Sequence, residues 1–202
     1  MKIGLFGGSF DPIHEGHIEP VLAAQRELGL DRVVYLPTAA PPHKPERKFA
    51  PAVSRFAMAE LALLDRADFV VSDHELTLGR PAYTIETLEH FRELAPGAEY
   101  FLLLGADSFL ELETWRRWRE IVTTTPLVVL ARPGFSVDSL PDELAWEVAL
   151  ATSAGRIHVL RNPPLAVSST ELRRRLAASE RIPDGWLAPR VVRYIEKYSF
   201  YR

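Results

Sequence analysis

The stretch "GGSFDPIHEGH" (residues 7–17) follows directly on the short apolar run "KIGLF" (2–6). Two glycines, a turn-forming Asp-Pro and two histidines three residues apart stand where a first strand would end. Gly7 and Gly8 let the backbone approach a ligand closely. A helix beginning near His14–Gly16 offers unpaired N–H groups and a positive dipole end to an anion. His14 and His17 share one face of its first turn, and each imidazole can donate a hydrogen bond to a phosphate oxygen. Three readings compete here: a nucleotide cradle, a metal site and a purely structural turn. Metal binding needs a third ligand and usually histidines at i and i+4. His43, His74, His90 and His158 offer no such spacing. The glycine pattern is neither GxGxxG nor a Walker A loop. Phosphate binding is the favoured reading, with the structural turn as its alternative.

Outward from this stretch the chain alternates between strand and helix patterns. "HIEPVLAAQRELG" (17–29) is a helix that Gly29 stops. "RVVYLPT" (32–38) is a strand, and "AAPPHKPERKFAP" (39–51) a Pro-rich loop. "AVSRFAMAELALL" (52–64) is helical and "DFVVSDHEL" (68–76) is read as a strand. "YTIETLEHFRELA" (83–95) is an amphipathic helix with Thr84 placed to cap it. "EYFLLLGAD" (99–107) and "PLVVLARPG" (126–134) are strands, "PDELAWEVALATS" (141–153) a helix and "RIHVLRN" (156–162) the last strand. "SSTELRRRLAAS" (168–179) and "PRVVRYIEKYSFY" (189–201) are helices. Such alternation predicts a doubly wound α/β fold, with a mostly parallel sheet and helices on both faces. The expected organisation is one domain over 1–202, with a helical part from about 168. In this architecture ligands bind beyond the carboxyl ends of the strands. "GGSFDPIHEGH", "GADSF", "ARPG" and "PPLAVSST" would all sit at that rim.

Composition narrows the function classes. With 202 residues, 47% of them hydrophobic, the chain can bury a full core. A net charge of -3 argues against a general binder of nucleic acid or membrane surfaces. The absence of cysteine excludes disulfides, thiolate nucleophiles and Cys-ligated zinc, and fits a cytoplasmic protein. The first apolar run is too short for a signal peptide, and no segment approaches 18 uninterrupted apolar residues. Lysine is scarce (Lys2, Lys44, Lys48 and Lys197), which draws attention to Lys44 in the Pro-rich loop.

"GGSFDPIHEGH" resembles the GxFDPxHxGH motif of the nucleotidyltransferase superfamily, whose HxGH element is shared with class I aminoacyl-tRNA synthetases. The resemblance implies a Rossmann-like domain in which His14 and His17 stabilise the α-phosphate during nucleotide transfer. "VSSTELRRRL" (167–176) begins with three potential cap residues, Ser168, Ser169 and Thr170, and places Arg173 one turn inside the helix. It is similar to the superfamily's ISSTxIR motif, with Val167 and Leu172 in place of isoleucines. There the serine-threonine turn and the arginine hold the β- and γ-phosphates. Arg174 and Arg175 read as solvated helix face.

"PAYTIETL" (81–88) and "GADSFLELETWRRW" (105–118) resemble the SYTIDTL and GADxxxxLxxW stretches of bacterial nicotinate-nucleotide adenylyltransferases. Ala82 replaces the usual serine and Glu86 the usual aspartate. By this resemblance Tyr83 and Thr84 receive the nicotinate carboxylate at a helix N-terminus, and Trp115 stacks on the pyridine ring. Trp118 reads as core. Asp107 falls in the adenosine and ribose region, where helix capping is the simpler alternative. Gly7, Gly8, Ser9, Phe10 and Gly105 would line the ATP side. Lys44 would reach over the phosphates, and Arg132 is a weaker candidate of the same kind.

The resemblance covers essentially the whole chain. It implies transfer of AMP from ATP to nicotinate mononucleotide by direct in-line attack, with no covalent intermediate. Mg²⁺ would ride on the ATP phosphates without a dedicated protein metal site. Neither a nucleic-acid nor a membrane partner is expected, and monomer and homo-oligomer stay equally open. A pantetheine-phosphate or glycerol-phosphate nucleotidyltransferase would share the first motif but would not be expected to carry "AYTIETL" with "GADSF". A nucleotide-binding regulator that lost catalysis is the alternative of another class. Both histidines, Arg173 and Lys44 are retained, which argues against it.

Overall fold

Nearly unbroken apolar runs such as "KIGLF" and "FLLL" cannot leave one face in water, so they suit strands covered on both sides. In the computed structural model, which describes residues 1–39, 49–131, 140, 142–160 and 165–202, they do form such strands. The elements in order are β1 (Lys2–Gly8), α1 (Glu15–Leu28), β2 (Arg32–Pro37), α2 (Ala52–Leu63), β3 (Phe69–Val71), α3 (His74–Thr77), α4 (Thr84–Leu94) and β4 (Glu99–Gly105). Then follow α5 (Ala106–Leu110), a 3₁₀ turn (Leu112–Thr114), α6 (Trp118–Thr124), β5 (Leu127–Leu130), α7 (Asp142–Ser153), β6 (Ile157–Val159), α8 (Ser169–Ala177) and α9 (Pro189–Tyr198). The strands make one parallel sheet in the order β3-β2-β1-β4-β5-β6, with helices on both faces. This is the expected Rossmann-like, doubly wound topology. Its order reverses between β1 and β4, which pair in register at Leu5 with Leu102 and Phe6 with Leu103. The switch point of the sheet, where such folds bind ligands, is therefore the carboxyl edge of β1 and β4.

The chain divides into two compact units, each assembled from three separate segments. The first comprises residues 1–6, 20–33 and 82–164. Its core is Leu102, Leu103 and Leu104 of β4 with Leu127, Val128 and Val129 of β5, covered by Phe109, Leu112, Ile121 and Val122. Gly29 closes α1 as expected: its φ of +63° lets the N–H of Leu30 turn back to the Gln25 carbonyl. The second unit comprises 7–19, 34–81 and 165–202. Phe10, Ile13, Tyr35, Met58, Leu172, Val191 and Ile195 are buried in it.

Several elements are shorter than the sequence pattern predicts. The strand expected over 68–76 ends at Val71. Ser72 and Asp73 interrupt it: the Ser72 hydroxyl accepts the N–H of His74, and the Asp73 carbonyl accepts the N–H groups of Leu76 and Thr77, which starts α3. "GAD" leaves the sheet at Gly105, and the aromatic segment after it folds as two short helices flanking a 3₁₀ turn. β5 stops at Leu130 and β6 at Val159. The last helix stops at Tyr198 because Ser199 turns left-handed, with φ 54°. Thr84 does not cap α4. Tyr83 occupies the cap position without a side-chain cap bond, and its carbonyl accepts the N–H groups of Glu86 and Thr87. Among the described residues no helix is long and apolar enough to cross a membrane.

Candidate active site

The turn after β1 is built by packing before any ligand is considered. A Cβ on Gly8 would lie 2.7 Å from the Phe10 ring, so this glycine answers to its neighbour. A Cβ on Gly7 would meet nothing within 4 Å, which leaves open space against the backbone at that position. Phe10 adopts φ 45°, an uncommon conformation for an aromatic residue, and is 0% exposed. Its ring is therefore turned inward and does not itself line an open surface. Phe10 is the floor under the site, with its ring edge-on to His17 at 5.3 Å and against Tyr35 at 5.7 Å.

A buried arginine that the sequence reading passed over holds this turn. Arg55 of α2 donates to the carbonyls of Ser9 (2.6 Å), Thr38 (2.7 Å), Ala39 (2.9 Å) and Ala50 (3.0 Å). One planar guanidinium thus ties the β1 turn to the segment after β2 and to the approach to α2. Burial lowers its pKa, and the negative charge of Asp11 opposes that shift. The signal was present: in "SRFAMAEL" Arg55 has helical spacing from the buried Met58 and Ala59, on the inner face.

Asp11 is 0% exposed and joins Pro12 through a cis peptide bond. Its Oδ1 accepts the Ala50 N–H at 3.1 Å and the Tyr201 hydroxyl at 2.7 Å. The sequence assigned neither Asp11 nor Tyr201 a place in the site. Nothing in the pattern of "YSFY" links it to a residue 190 positions earlier.

The two histidines are buried at the start of α1, His14 at 2% and His17 at 8% exposed. Their rings lie 3.8 Å apart at 35°. The His14 N–H donates to Nδ1 of His17 at 3.3 Å. An Nδ1 that accepts leaves the ring hydrogen of neutral His17 on Nε2, which makes that nitrogen a donor. The buried Tyr35 phenol, pushed well above its ordinary pKa by desolvation, stays neutral and donates to the His17 carbonyl. Gly16 fits closely between them: a Cβ there would stand 3.0 Å from the His14 ring and 3.0 Å from Val167. The helix terminus itself offers less than expected. The N–H of Glu15 is taken by the Trp186 carbonyl and that of His17 by the His14 carbonyl.

The "SSTELR" turn docks on this same segment across more than 150 residues of sequence. Ser168 does cap α8, accepting the Glu171 N–H at 3.2 Å. Ser169 donates instead to the Pro12 carbonyl at 3.1 Å. Arg173 donates to the Asp11 carbonyl at 2.6 Å and to Thr170 Oγ1 at 3.1 Å, and sits 3.6 Å from the Asp11 carboxylate. Arg174 and Arg175 pair with Glu171 on the outer face; their hydrogen bonds, that of Arg174 foremost, hold the Glu171 pKa down at about 2. The second unit thus gathers His14, His17, Ser168, Ser169, Thr170 and Arg173: two N–H-donating rings, a helix start and a guanidinium, a set suited to a phosphate chain. Lys44 lies outside the described residues. An open groove of about 850 Å³ in this unit, around Ile182, Pro183 and Leu187, is lined by none of the predicted site residues.

The first unit holds the other predicted residues. Gly105 is the cap residue of α5 and Asp107 lies in its first turn, so Asp107 is not the cap that the simpler reading proposed. Tyr83 and Thr84 begin α4, whose N-terminus has no side-chain cap. The Arg116 guanidinium covers the Tyr83 ring at 4.7 Å and pairs with Glu86. Trp115 is half-buried in an extended break between the 3₁₀ turn and α6, whereas Trp118 is core as expected. Arg132 lies outside the described residues. No group of three or more metal-ligating side chains occurs among the described residues.

Known proteins resemble this chain over nearly its whole length. Residues 5–175 fit the cytidylyltransferase-like family. A protein of Neisseria meningitidis serogroup B, named "Probable nicotinate-nucleotide adenylyltransferase", is 42% identical over 99% of this chain and 98% of its own length. A protein of the same name from Solibacter usitatus is 41% identical over the full length of both. The structure of the Plasmodium falciparum nicotinic acid mononucleotide adenylyltransferase complexed with NaAD superposes with a TM-score of 0.81 over 99% of this chain and 97% of its own. At 19% identity that likeness speaks for the fold.

The tight fit at Gly16 makes a measurable prediction. In Gly16→Ala the new methyl displaces the His14 ring by a few tenths of an ångström. Overpacking of about 1–3 kcal/mol is partly offset by the roughly 1 kcal/mol that alanine gains over glycine in a helix. Denaturant melts should show a net loss of about 0–2 kcal/mol. The imidazole signals of His14 and His17 should both shift in NMR spectra; unchanged signals would contradict the packing described.

Proposed function

The chain belongs to the cytidylyltransferase-like family and, within it, to the nicotinate-nucleotide adenylyltransferases, and on that premise we propose how its residues transfer AMP from ATP to nicotinate mononucleotide. The products are nicotinate adenine dinucleotide and pyrophosphate, a step of NAD biosynthesis. The observation that carries the reading is the docking of the "SSTELR" turn on "DPIHEGH", which gathers the donors for a phosphate chain.

A phosphate oxygen of the mononucleotide attacks the α-phosphorus of ATP. One oxygen–phosphorus bond forms, the bond to the β-phosphate bridging oxygen breaks, and the electron pair leaves with pyrophosphate. The attacking oxygen is already anionic, so no general base is required. What the protein supplies is position and charge stabilisation. His17 donates from Nε2 and His14 stands beside it, both toward the α-phosphate. Arg173 and the start of α8 hold the departing β- and γ-phosphates. Gly7 leaves room for the nucleotide against the backbone. Lys44 and, more weakly, Arg132 add cationic side chains from their loops. Mg²⁺ enters as part of the MgATP substrate, neutralising phosphate charge, and is held by the phosphates.

On the acceptor side, the uncapped N-terminus of α4 at Tyr83 and Thr84 suits the nicotinate carboxylate, since N–H groups and the dipole both favour an anion. Trp115, outside any helix and half-buried, stacks on the pyridinium ring. Asp107 accepts from ribose hydroxyls.

Two substitutions test these roles. His17→Ala should keep its fold by circular dichroism and lose on the order of 10²–10³ in turnover, the range for one transition-state donor; near-normal turnover would sink the assignment. Trp115→Ala should raise the KM for nicotinate mononucleotide about tenfold while that for ATP stays within about twofold, because stacking on one ring contributes about 1–3 kcal/mol. Equal rises in both constants would return Trp115 to a packing role.

A further inference from the structure

We propose that Tyr201 is a positioning residue for Arg173, acting through the buried carboxylate of Asp11. The inference rests on the reading of Arg173 as a phosphate-binding group. Asp11 is wholly buried, and a carboxylate in that setting must be matched by donors or charge. Its two oxygens divide the task. Oδ1 takes the Tyr201 hydroxyl at 2.7 Å and the Ala50 N–H at 3.1 Å. Oδ2 lies 3.6 Å from Arg173 Nη1.

The same nitrogen of Arg173 donates to the backbone carbonyl of Asp11 at 2.6 Å. The guanidinium is therefore gripped by side chain and main chain of one residue, and Thr170 holds its other arm. These bonds use two of the five guanidinium N–H groups. The side chain keeps 18% of its surface exposed, which leaves it able to meet an anion. Rotation of the Asp11 carboxylate would swing the charge that faces Arg173, and the Tyr201 hydroxyl opposes that rotation.

The backbone around Tyr201 is consistent with a held position. Ser199 (φ 54°) and Tyr201 (φ 67°) are both left-handed, a conformation that costs a non-glycine residue free energy. Ser199 ends α9, Phe200 lies against Tyr194 and Tyr201, and the phenol is carried back to Asp11. Strain in this place is offset by the hydrogen bond that it permits. Asp11 and Tyr201 both weigh on the titration of Arg55, which places the phenol beside the same cluster of charges. A packing aromatic would need only its ring; here the hydroxyl is the group engaged.

The test is a double-mutant cycle on the full chain, with wild type, Tyr201→Phe, Arg173→Ala and the double variant. Inorganic pyrophosphate binding is measured by calorimetry and adenylyl transfer by steady-state kinetics. Tyr201→Phe should weaken pyrophosphate about fivefold when Arg173 is present and less than about twofold when it is absent. The KM for ATP should rise while that for nicotinate mononucleotide stays within about twofold. An equal loss in both backgrounds, or no loss in either, would overturn the proposal, since a merely structural tyrosine acts additively. If Tyr201→Phe fails to fold, Asp11→Asn takes its place in the cycle, with the same expected and contrary results. Coupling to pyrophosphate in a chain that transfers nothing to nicotinate mononucleotide would support this proposal and overturn the acceptor. Full transfer without coupling would overturn this proposal alone.

Discussion

A carboxylate with no access to water sets the terms for much of the second unit. Asp11 is buried beside the turn that carries the histidines, and its charge has to be met from within the protein. The donors come from three distant segments: Ala50 ahead of α2, Tyr201 beyond α9 and Arg173 in α8. A chain that satisfies Asp11 therefore also brings the "SSTELR" turn to "DPIHEGH". Assembly of the proposed phosphate site and neutralisation of a buried charge are one event. Loss of any partner leaves a buried group under-satisfied, which is more costly than the net worth of the bond itself.

Arg55 complements this arrangement with the opposite sign. Its guanidinium meets four carbonyls, so it holds backbone rather than side chains. Loops at strand ends must be irregular to leave space for a ligand, and irregular backbone has carbonyls that no ladder satisfies. One buried arginine resolves that conflict for the segments after β1 and β2. The histidines then stand on a floor of Phe10 and Tyr35, with Gly8 and Gly16 small because Phe10 and His14 occupy the adjacent space. Catalytic geometry of this kind depends on supporting contacts as much as on the donors themselves.

Much of the fold was legible because apolar runs and punctuation act locally. The strands at 2–6 and 99–105, the helix stopped by Gly29 and the cap at Ser168 follow from the pattern of a few neighbouring residues. The expected strand over 68–76 failed because polar side chains at 72 and 73 bond to nearby backbone, a competition that apolar counting does not register. Thr84 was assigned a cap position that Tyr83 occupies without a side-chain bond, a one-residue shift that a capping pattern does not fix. His14, His17, Ser169 and Arg173 stand in contiguous motifs, which is why the sequence could nominate them for the proposed site. The inward turn of the Phe10 ring could not be foreseen, because a motif records which residues recur together and not which way each one faces. Arg55 carried a readable signal, a charge on an inward helical face. Tyr201 carried none, since its role exists only once the chain has folded back on Asp11.

The account stands or falls on one assay: pyrophosphate release from MgATP offered, in parallel, nicotinate mononucleotide, nicotinamide mononucleotide and phosphopantetheine. It predicts rapid release with the nicotinate nucleotide, at least about tenfold slower release with the amide, the discrimination one charge-assisted contact supplies, and none with phosphopantetheine. Equal rates with both pyridine nucleotides would remove the carboxylate role of the α4 terminus. No release with the nicotinate nucleotide, in a chain that binds ATP, would contradict the proposed reaction itself.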